Sequence, residues 1–249
     1  MEPTAHNETK RTNNIIVFHQ NICSITNKFD ELNIDLQTNP TRPHLICLTE
    51  HHLKETEITK FSLDGYKLIS SFCREEFQRG GVCILISNNI IAQTIDLQKF
   101  CHEKIFKICA TKLHIKKIKL MVLCIYRAPT ENLKQFYNLL ENTLNHLLQP
   151  NTTYLICGDL NINFSIRSKD TLKLETLMNT FNLTQVVDFP TRITDNNGTL
   201  IDTIFVDTSL YDKIHVKPHI NGLSDHGAQL VYKMVWLDFS NMPLKGKLE

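Results

Sequence analysis

Polar side chains stand in this sequence at the points where short apolar runs end. Glu50 directly follows the run Leu45–Thr49, and Asp159 follows Tyr154–Cys157 after a single glycine. Taken alone, each such residue is most simply a turn former, a helix cap or a solvated side chain. Taken together they gather at strand ends, which is where layered α/β folds bind their ligands. The positions that stand out are Asn21, Glu50, Tyr126, Asp159, Asn161, Asp202, Asp225 and His226.

These side chains suit the hydrolysis of a phosphate ester assisted by a metal ion. Carboxylate and amide oxygens are ligands that Mg²⁺ prefers, and water or phosphate completes its coordination. Asp159 and Asn161 are two residues apart, so they can point to the same side of an extended segment. One of them can then accept a proton from water while the other holds a phosphate oxygen.

Asp202 and His226 are expected to form a pair. Asp202 lies inside the apolar stretch Leu200–Phe205, where a carboxylate without a partner is costly to bury. A carboxylate beside His226 would fix the imidazole tautomer and favour its charged form. A histidine taken alone is more often a hydrogen-bonded structural residue, so the pairing is what indicates catalysis.

Strands must position most of these residues. Short runs rich in Ile, Val, Leu, Phe and Cys, bounded by turn formers or charges, predict nine strands. Two long neighbouring runs, joined by four residues, predict a hairpin, Lys104–His114 with Lys119–Tyr126. The other predicted strands are Ile15–Phe18, Leu45–Thr49, Tyr66–Ser70, Gly81–Ile86, Tyr154–Cys157, Leu200–Val206 and Gln229–Val235.

Three helices are predicted between the strands. Apolar residues from Leu133 to Leu147 fall on one helical face, and Pro150 follows as a stop signal. A second helix follows Asp170, and a third covers Ser24–Leu36. Many strands with few helices predict a layered α/β architecture, in which two sheets pack face to face with helices outside.

Composition narrows the class of protein. The chain has 249 residues, of which 42% are hydrophobic and 21% charged, and its formal net charge is +1. This balance excludes an intrinsically disordered chain, and the length fits one large domain or two small ones. The longest apolar run, Leu120–Tyr126, is far shorter than the roughly 20 residues of a membrane span. The sequence motifs of dinucleotide and P-loop sites, serine hydrolases and zinc proteases are absent.

The two ends of the sequence look different from its middle. Residues 1–14 are polar and aperiodic, so we expect a disordered tail followed by one domain over residues 15–237. Residues 238–249 are expected to be a second tail or a truncated linker. No apolar signal segment stands near the start, so we expect an intracellular protein that is not secreted. The eight cysteines, Cys157 among them, are then expected to be reduced, buried thiols. The sequence contains no CxxC pair, so structural zinc is not expected.

In their order and surroundings, the residues at the strand ends resemble the endonuclease/exonuclease/phosphatase superfamily, which includes DNase I-like nucleases. The nearest likeness is to the endonuclease domain of jockey-like non-LTR retrotransposons, over about Asn14 to Val235. Each motif is short, but six of them occur in the right order. The resemblance implies a DNase I-like, four-layered α/β sandwich, in which two packed, mainly antiparallel sheets are flanked by helices.

The resemblance also implies a metal site. Glu50 matches the metal-binding glutamate, Asn21 matches the asparagine that supports the metal site, and Asp225 matches a metal-site carboxylate. The implied cofactor is Mg²⁺, for which Mn²⁺ is expected to substitute. His51 and His52 are not expected to be ligands, because Mg²⁺ prefers oxygen and adjacent imidazoles point apart on an extended segment.

The remaining positions take catalytic roles by the same resemblance. Asp159 and Asn161, in the stretch Gly158–Asn161, match the residues that activate water and hold the scissile phosphate. Tyr126 matches the tyrosine that contacts the phosphate. Asp202 matches the aspartate that orients the histidine, and His226 matches the histidine that stabilises the pentacovalent transition state.

Three arginines are candidates for holding DNA phosphates. Arg74, Arg127 and Arg192 precede or lie within the motif loops, and an ion pair is an equally simple explanation for any one of them. Two supporting stretches, Arg79–Val82 and Phe189–Arg192, also resemble the retrotransposon branch. A basic hairpin tip is more simply a solvated turn, although a phosphate contact also fits it. That tip contains Lys112, Lys116, Lys117 and Lys119.

The residues together with the resemblance therefore predict an Mg²⁺-dependent endonuclease that nicks DNA, and the resemblance implies a 3′-hydroxyl and a 5′-phosphate as products. The expected site of action is the nucleus, with no membrane partner. Retrotransposon endonucleases are normally joined to a reverse transcriptase, which this chain lacks, so that domain is an expected partner. Two alternatives stay open: another phosphodiesterase or phosphatase of the superfamily, acting on inositol phosphates, lipids or RNA, and an inactive nucleic-acid-binding remnant.

Overall fold

The structure is a computed structural model that describes residues 15–77, 79–115, 118–129, 132–194 and 197–232. The two tails expected at residues 1–14 and 238–249 lie outside these ranges, as do Lys116 and Lys117 of the basic hairpin tip. Within the described ranges, no helix has the length and apolar character needed to cross a membrane.

Among the described residues, twelve strands form two six-stranded sheets, and two short strands form a separate hairpin. In chain order the strands are β1 Val17–Asn21, β2 Leu45–Thr49, β3 Tyr66–Phe72, β4 Val82–Ser87, β5 Ala92–Ile95, β6 Phe106–Ile115, β7 Ile118–Arg127, β8 Thr152–Asp159, β9 Leu183–Gln185, β10 Arg192–Thr194, β11 Asn197–Thr199, β12 Asp202–Asp207, β13 His215–His219 and β14 Ala228–Tyr232.

Sheet one has the order β13-β14-β1-β2-β4-β3, and sheet two has the order β5-β6-β7-β8-β12-β9. One pair in each sheet is parallel, β1 with β2 and β7 with β8, and the other pairs are antiparallel. The short strands β10 and β11 make the separate antiparallel hairpin. The sheets are therefore mixed but mainly antiparallel, as the resemblance implies.

Four α-helices are described, α1 Phe29–Thr38, α2 Glu55–Ile58, α3 Leu133–Leu147 and α4 Lys169–Thr180. Asn132 caps α3 by accepting a hydrogen bond from the Gln135 amide, and Ser168 caps α4 through the Thr171 amide. Two short 3₁₀ segments cover Gln98–Phe100 and Thr208–Lys213.

The hydrophobic core has three layers, which follow from the alternation of side chains along each strand. The inner layer lies between the sheets and includes Val17, Cys47 and Ile204. Helix α1 covers the outer face of sheet one through Leu32 and Leu36. Helices α3 and α4 cover the outer face of sheet two. The predicted four-layered α/β sandwich is confirmed.

The differences from the predicted elements have local causes. The first helix begins at Phe29 rather than Ser24, and the last described strand ends at Tyr232, with residues 233–235 outside the described ranges. Strand β13, which contains Pro218, is not among the predicted strands. A proline is tolerated there because β13 is an edge strand, whose outward amides need no partner. Of the cysteines, which were expected to be buried, six are buried, whereas Cys101 is half-buried and Cys23 is exposed.

Candidate active site

The strand register of sheet two aligns four side chains into one row. Lys107 of β6 lies opposite Tyr126 of β7, Tyr126 lies beside Asp159 of β8, and Asp159 lies opposite Asp202 of β12. All four residues are buried. Residues two positions further along these strands, such as Cys124 and Ile204, belong to the inner core, so the row faces sheet one. We call these four residues the cross-strand row.

Sheet one contributes Asn21 and Glu50 to the same edge. Asn21 is the last residue of β1, and Glu50 follows the last residue of the neighbouring parallel strand β2. The Asn21 amide nitrogen, Nδ2, donates to Glu50 Oε1 at 3.1 Å and to Asp159 Oδ2 at 2.8 Å. The Asn21 oxygen accepts a hydrogen bond from the Cys23 amide. Asn21 therefore joins a carboxylate of each sheet through one side chain.

Glu50 is held ionised by the groups around it. Burial alone would raise its pKa, but hydrogen bonds from His52, Asn21 and Tyr126 lower the pKa of Glu50 to about 2. His52 Nε2 lies 3.2 Å from Glu50 Oε2. Glu50 has a φ angle of 53° and His52 one of 61°, so both occupy the left-handed region that non-glycine residues rarely adopt. The backbone thus turns sharply where this carboxylate leaves the strand.

The segment Gly80–Gly81 explains how that turn is held. The amide of Glu50 donates to the carbonyl of Gly81, and the amide of His52 donates to the carbonyl of Gly80. Gly81 has a φ angle of 93°, and a Cβ atom there would lie 2.5 Å from the His51 ring. A larger residue at position 81 would therefore displace His51, which is fully buried.

Asp159 is a buried carboxylate with two hydrogen-bond donors. Its Oδ1 accepts from the Asn161 amide at 2.9 Å, and its Oδ2 accepts from Asn21. Burial and the neighbouring Asp202 raise the pKa of Asp159 well above its usual range. A carboxylate with a raised pKa is a stronger base once it is ionised.

Asp202 and His226 form the expected pair. His226 Nδ1 lies 2.7 Å from Asp202 Oδ2, and both side chains are buried. Burial disfavours the charged imidazole, but the hydrogen bond and charge of Asp202 outweigh it and raise the pKa of His226. The second ring nitrogen, Nε2, lies 4.0 Å from Asp225 Oδ1. The imidazole is therefore oriented with Nε2 away from Asp202.

Backbone contacts hold the loop that carries His226. Thr191 accepts hydrogen bonds from the Asp202 and Ile201 amides through its hydroxyl, and its carbonyl accepts one from the Gly227 amide. On the other side, Gln20 Nε2 donates to the carbonyl of His226 at 3.1 Å. Thr191 therefore fixes both members of the Asp202–His226 pair through the backbone.

Gln229 and His19 add a second support behind this loop. Gln229 Nε2 donates to the Gly227 carbonyl at 2.7 Å, which orients the amide so that its oxygen faces His19 Nδ1 at 2.5 Å. Both residues are fully buried on neighbouring strands of sheet one. Two successive carbonyls, those of His226 and Gly227, are thus each held by a glutamine.

Asn161 and Arg127 support each other beside Asp159. Asn161 Nδ2 donates to the Arg127 carbonyl at 2.7 Å, and the Arg127 guanidinium donates to the carbonyls of Leu160 and Asn161. Arg127 is only 4% exposed. Its side chain was predicted to hold DNA phosphates. In the structure the guanidinium is buried and binds the carbonyls of the loop after β8.

Arg192 and Arg74 both have carboxylate partners. Arg192 Nε lies 2.7 Å from Asp225 Oδ2, and both side chains are about two-fifths exposed. Arg74 Nε lies 3.8 Å from Glu103 Oε2, and its guanidinium also donates to the Arg79 carbonyl. Arg192 therefore lies at the exposed margin of the site, next to His226, whereas Arg74 is close enough to Glu50 for the two charges to interact.

The polar residues of the site differ in how well they could serve as ligands of a divalent cation. Glu50 offers an ionised oxygen ligand, which is what a hard cation requires. Ligand atoms of Asp159, Asp202 and His226 all lie within 4.8 Å of one another, which is close enough for a metal cluster. Asp225 is paired with Arg192, and the Asn21 oxygen already accepts a backbone amide. The metal roles of Glu50, Asn21 and Asp225 therefore stay predictions, with Glu50 as the best fit.

Sequence reasoning missed the residues that act through the backbone or through register. Gln20 and Gln229 donate to carbonyls, and nothing in their local sequence distinguishes them from ordinary strand residues. Thr191 lies in the stretch Phe189–Arg192, which resembles the retrotransposon branch, but its hydrogen bonds to the Asp202 and Ile201 amides were not predicted. Lys107 lies inside a predicted strand, and only the register of β6 with β7 brings it beside Tyr126. A lysine at an inward position of a buried strand was the one available signal.

Comparisons with known proteins bear on the fold and on the family pattern of part of the chain. Residues 120–230 match the family model described as endonuclease-reverse transcriptase. No curated protein sequence matches the chain. Among solved structures, the endonuclease domain of TRAS1, a telomere-specific non-LTR retrotransposon, is similar with a TM-score of 0.71 and 14% identity, covering 89% of this chain and 99% of that one.

Two other solved structures are similar over most of the chain. The 3′ phosphatase NExo from Neisseria, bound to a product DNA hairpin, has a TM-score of 0.67 and 15% identity, covering 87% of this chain and 98% of that one. An AP endonuclease from Archaeoglobus fulgidus has a TM-score of 0.67 and 15% identity, covering 89% and 100%. At such identities the likeness shows the fold alone. The chain therefore has the DNase I-like fold of the endonuclease/exonuclease/phosphatase superfamily, and its residues 120–230 carry the sequence pattern of the endonuclease-reverse transcriptase family.

Proposed function

We propose that this chain is an Mg²⁺-dependent endonuclease that nicks DNA and leaves a 3′-hydroxyl and a 5′-phosphate. The observation that carries the proposal is the buried cluster of Asp159, Asp202 and His226, in which a carboxylate base stands beside an oriented imidazole. The fold and the family pattern support a nuclease-type phosphodiesterase. Because Mn²⁺ has the same preference for oxygen ligands, it is expected to substitute.

In this proposal Asp159 is the general base. Its two oxygens are held by the Asn161 amide and by Asn21, so the carboxylate is fixed before substrate arrives. Its raised pKa suits it to accept a proton from the attacking water. A divalent cation bound at Glu50 would polarise the phosphate and favour the ionised form of Asp159.

His226 stabilises the negative charge that builds on the phosphate. Asp202 holds Nδ1 and keeps the imidazole charged, which leaves Nε2 to donate toward a phosphate oxygen. Tyr126 and Asn161, on either side of Asp159, position the same phosphate. Arg192, at the exposed margin, and Arg74 are proposed to help hold the DNA.

The test is a nicking assay on supercoiled plasmid, with Mg²⁺ and EDTA arms. We expect open circles that a DNA ligase reseals and that a DNA polymerase extends, since both need a 3′-hydroxyl. Asp159→Ala should abolish nicking, and Asp212→Ala, an exposed aspartate on a 3₁₀ segment, is the matched control. Nicking that survives both EDTA and Asp159→Ala would contradict the proposal.

A phosphatase is the second candidate, because one similar structure is a 3′ phosphatase bound to product DNA. Release of phosphate from a 3′-phosphorylated oligonucleotide, with the plasmid left intact, would favour it. An inositol phosphate arm tests the more distant substrates of the superfamily. A folded protein inactive on all three would be a nucleic-acid-binding remnant.

The structural similarity to a retrotransposon endonuclease domain suggests in which process the nick would be used. A nick with a 3′-hydroxyl can prime reverse transcription at a DNA target. We therefore propose nuclear DNA as the substrate and a reverse transcriptase as the partner activity. Detection of extension products only when a reverse transcriptase is added to nicked target would test this pairing.

A further inference from the structure

Lys107 occupies the end of the cross-strand row, beside Tyr126. Its side chain has no exposed surface, and its ammonium has no hydrogen-bond partner among the described residues. The ammonium nitrogen lies 4.8 Å from the centre of the Tyr126 ring. The other three members of the row are residues to which the proposed function gives a role. Lys107 is the member that this mechanism leaves unexplained.

Packing does not account for a charged residue at this position. An unpaired ammonium loses its hydration on burial and gains no hydrogen bond in return, which costs stability. A methionine would fill a similar space without that cost. Buried charges that destabilise a fold are typical of functional sites, where stability is exchanged for activity.

We propose that Lys107 is a positioning residue that acts through Tyr126 to strengthen the binding of a phosphate anion in the cross-strand row. This inference rests on the proposed function, because it assigns the row to a phosphodiester. The Tyr126 hydroxyl faces Glu50, and the Lys107 charge lies against the ring of the same tyrosine. A cation on the ring face makes the hydroxyl a better hydrogen-bond donor, and a phosphate oxygen would replace Glu50 as the acceptor of its single proton.

The charged groups around Lys107 do not fully compensate its ammonium, so a bound anion would be favoured there. Glu50 and Glu103 attract its ammonium, Arg74 repels it, and Arg74 already has Glu103 as a partner. Burial, and then Arg74, lower the pKa of Lys107 to about 7, while Glu50, Glu103 and the Cys101 thiol partly oppose this. A bound phosphate would add negative charge and favour the ammonium.

The experiment compares Lys107→Met, which removes the charge, with Lys107→Arg, which keeps it. The matched control is Lys67→Met, an exposed lysine on strand β3. Inorganic phosphate is titrated against protein labelled with ¹³C-tyrosine, and the Tyr126 ring signal is followed in EDTA. We expect phosphate binding to weaken about tenfold in Lys107→Met, as for the loss of one nearby charge. Lys107→Arg should restore most of it.

Thermal unfolding separates this role from a structural one. Removing an unpaired buried charge should leave the thermal midpoint unchanged or raise it, whereas loss of a structural residue would lower it. A Lys107→Met variant that unfolds, or one that keeps the wild-type response of Tyr126 to phosphate, would overturn the inference.

Nicking kinetics then distinguish the two proposals. If the wild type nicks DNA, Lys107→Met should raise KM and leave kcat within about threefold, since its effect is on anion binding. A protein that shows the Lys107-dependent phosphate response but nicks nothing would refute the endonuclease proposal alone. Full nicking with an unchanged KM in Lys107→Met would refute the role of Lys107 alone.

Discussion

Asn21 reaches from sheet one to Asp159 of sheet two, and its amide nitrogen donates a 2.8 Å hydrogen bond to the Asp159 carboxylate. The same nitrogen donates to Glu50. The expected metal ligand and the proposed base are therefore held by one planar group, and their separation depends on how the two sheets pack. A change that separates the sheets at this edge would alter both at once.

Asp159→Asn should stabilise the protein in EDTA, and more so as the pH rises. Burial and Asp202 raise the pKa of Asp159 in the folded state, whereas the unfolded chain ionises near the usual value of about 3.9. Between these two values the folded state holds the extra proton, so the stability of the wild type falls with rising pH. Asparagine has no proton to lose.

Thermal unfolding of both proteins between pH 4 and 9 measures this effect. The difference in thermal midpoint should be small near pH 4, grow as the pH rises, and level off above the folded pKa of Asp159. A difference that stays constant across this range would contradict the raised pKa.

Asp202→Asn should lower the pKa of His226 and slow nicking by about 10²–10⁴-fold. The carboxylate both orients the imidazole and stabilises its charge, and an amide does neither equally well. NMR titration of the His226 ring measures the pKa, and His226→Ala should lose as much activity. The matched control is Asp35→Asn, which alters a second Asp–His pair with His219 and should change nicking less than tenfold.

Glu50→Gln should raise the Mg²⁺ concentration needed for half-maximal nicking. The substitution keeps the shape of the side chain and removes the charge that attracts a hard cation. A metal titration of nicking measures the shift, and calorimetric titration with Mn²⁺ measures binding without turnover. Identical metal titrations for wild type and variant would show that Glu50 is not a ligand.

Arg192→Ala should flatten the salt dependence of binding to duplex DNA. Log K falls as log salt rises, and each lost phosphate contact makes this negative slope shallower by about 0.9. Affinity should fall by a similar factor on different sequences, because phosphate contacts do not read bases. Arg42→Ala is the control, since Arg42 is stacked on Tyr66 and donates to the Asp64 carbonyl. An unchanged slope in Arg192→Ala would show that Arg192 does not contact DNA phosphates and that the DNA binds to another part of the surface.

Arg127→Met should destabilise the fold and leave that salt slope unchanged. The substitution removes donors to two loop carbonyls, and each buried group that loses a partner costs about 1–3 kcal/mol. Urea unfolding measures the loss. A stable variant with a flatter salt slope would instead support the phosphate contact predicted from the sequence.

The sequence predicts the parts of this site that local chemistry marks. Tyr126 and Asp159 each stand at the end of an apolar run, so their positions at a sheet edge follow from the pattern of burial. Asp202 is marked instead by its place inside the apolar stretch Leu200–Phe205, where a buried carboxylate needs a partner. The hairpin of β6 and β7 is also predicted, with boundaries that differ from the structure by one or two residues. These features depend on residues that are close together along the chain.

What the sequence does not predict depends on how distant segments meet. Arg127 looks like a surface cation in the sequence, and only the packing of its side chain on the loop after β8 shows it to be buried. The alignment of Lys107 with Tyr126 requires knowing which residues pair between β6 and β7. Thr191 holds the Asp202 amide across eleven residues of chain. Register and backbone hydrogen bonding are properties of the folded molecule.

Because the active site contains the cross-strand row, its activity depends on correct strand pairing within sheet two. The four members of the row come from four adjacent strands, so three separate strand alignments must all be right. A slip of one residue in any of them would turn that member's side chain to the helix-covered face. Such a misfolded sheet would keep its strand content while losing the base, the tyrosine or the oriented histidine. Activity per mole of refolded protein would therefore report pairing errors that circular dichroism would not detect.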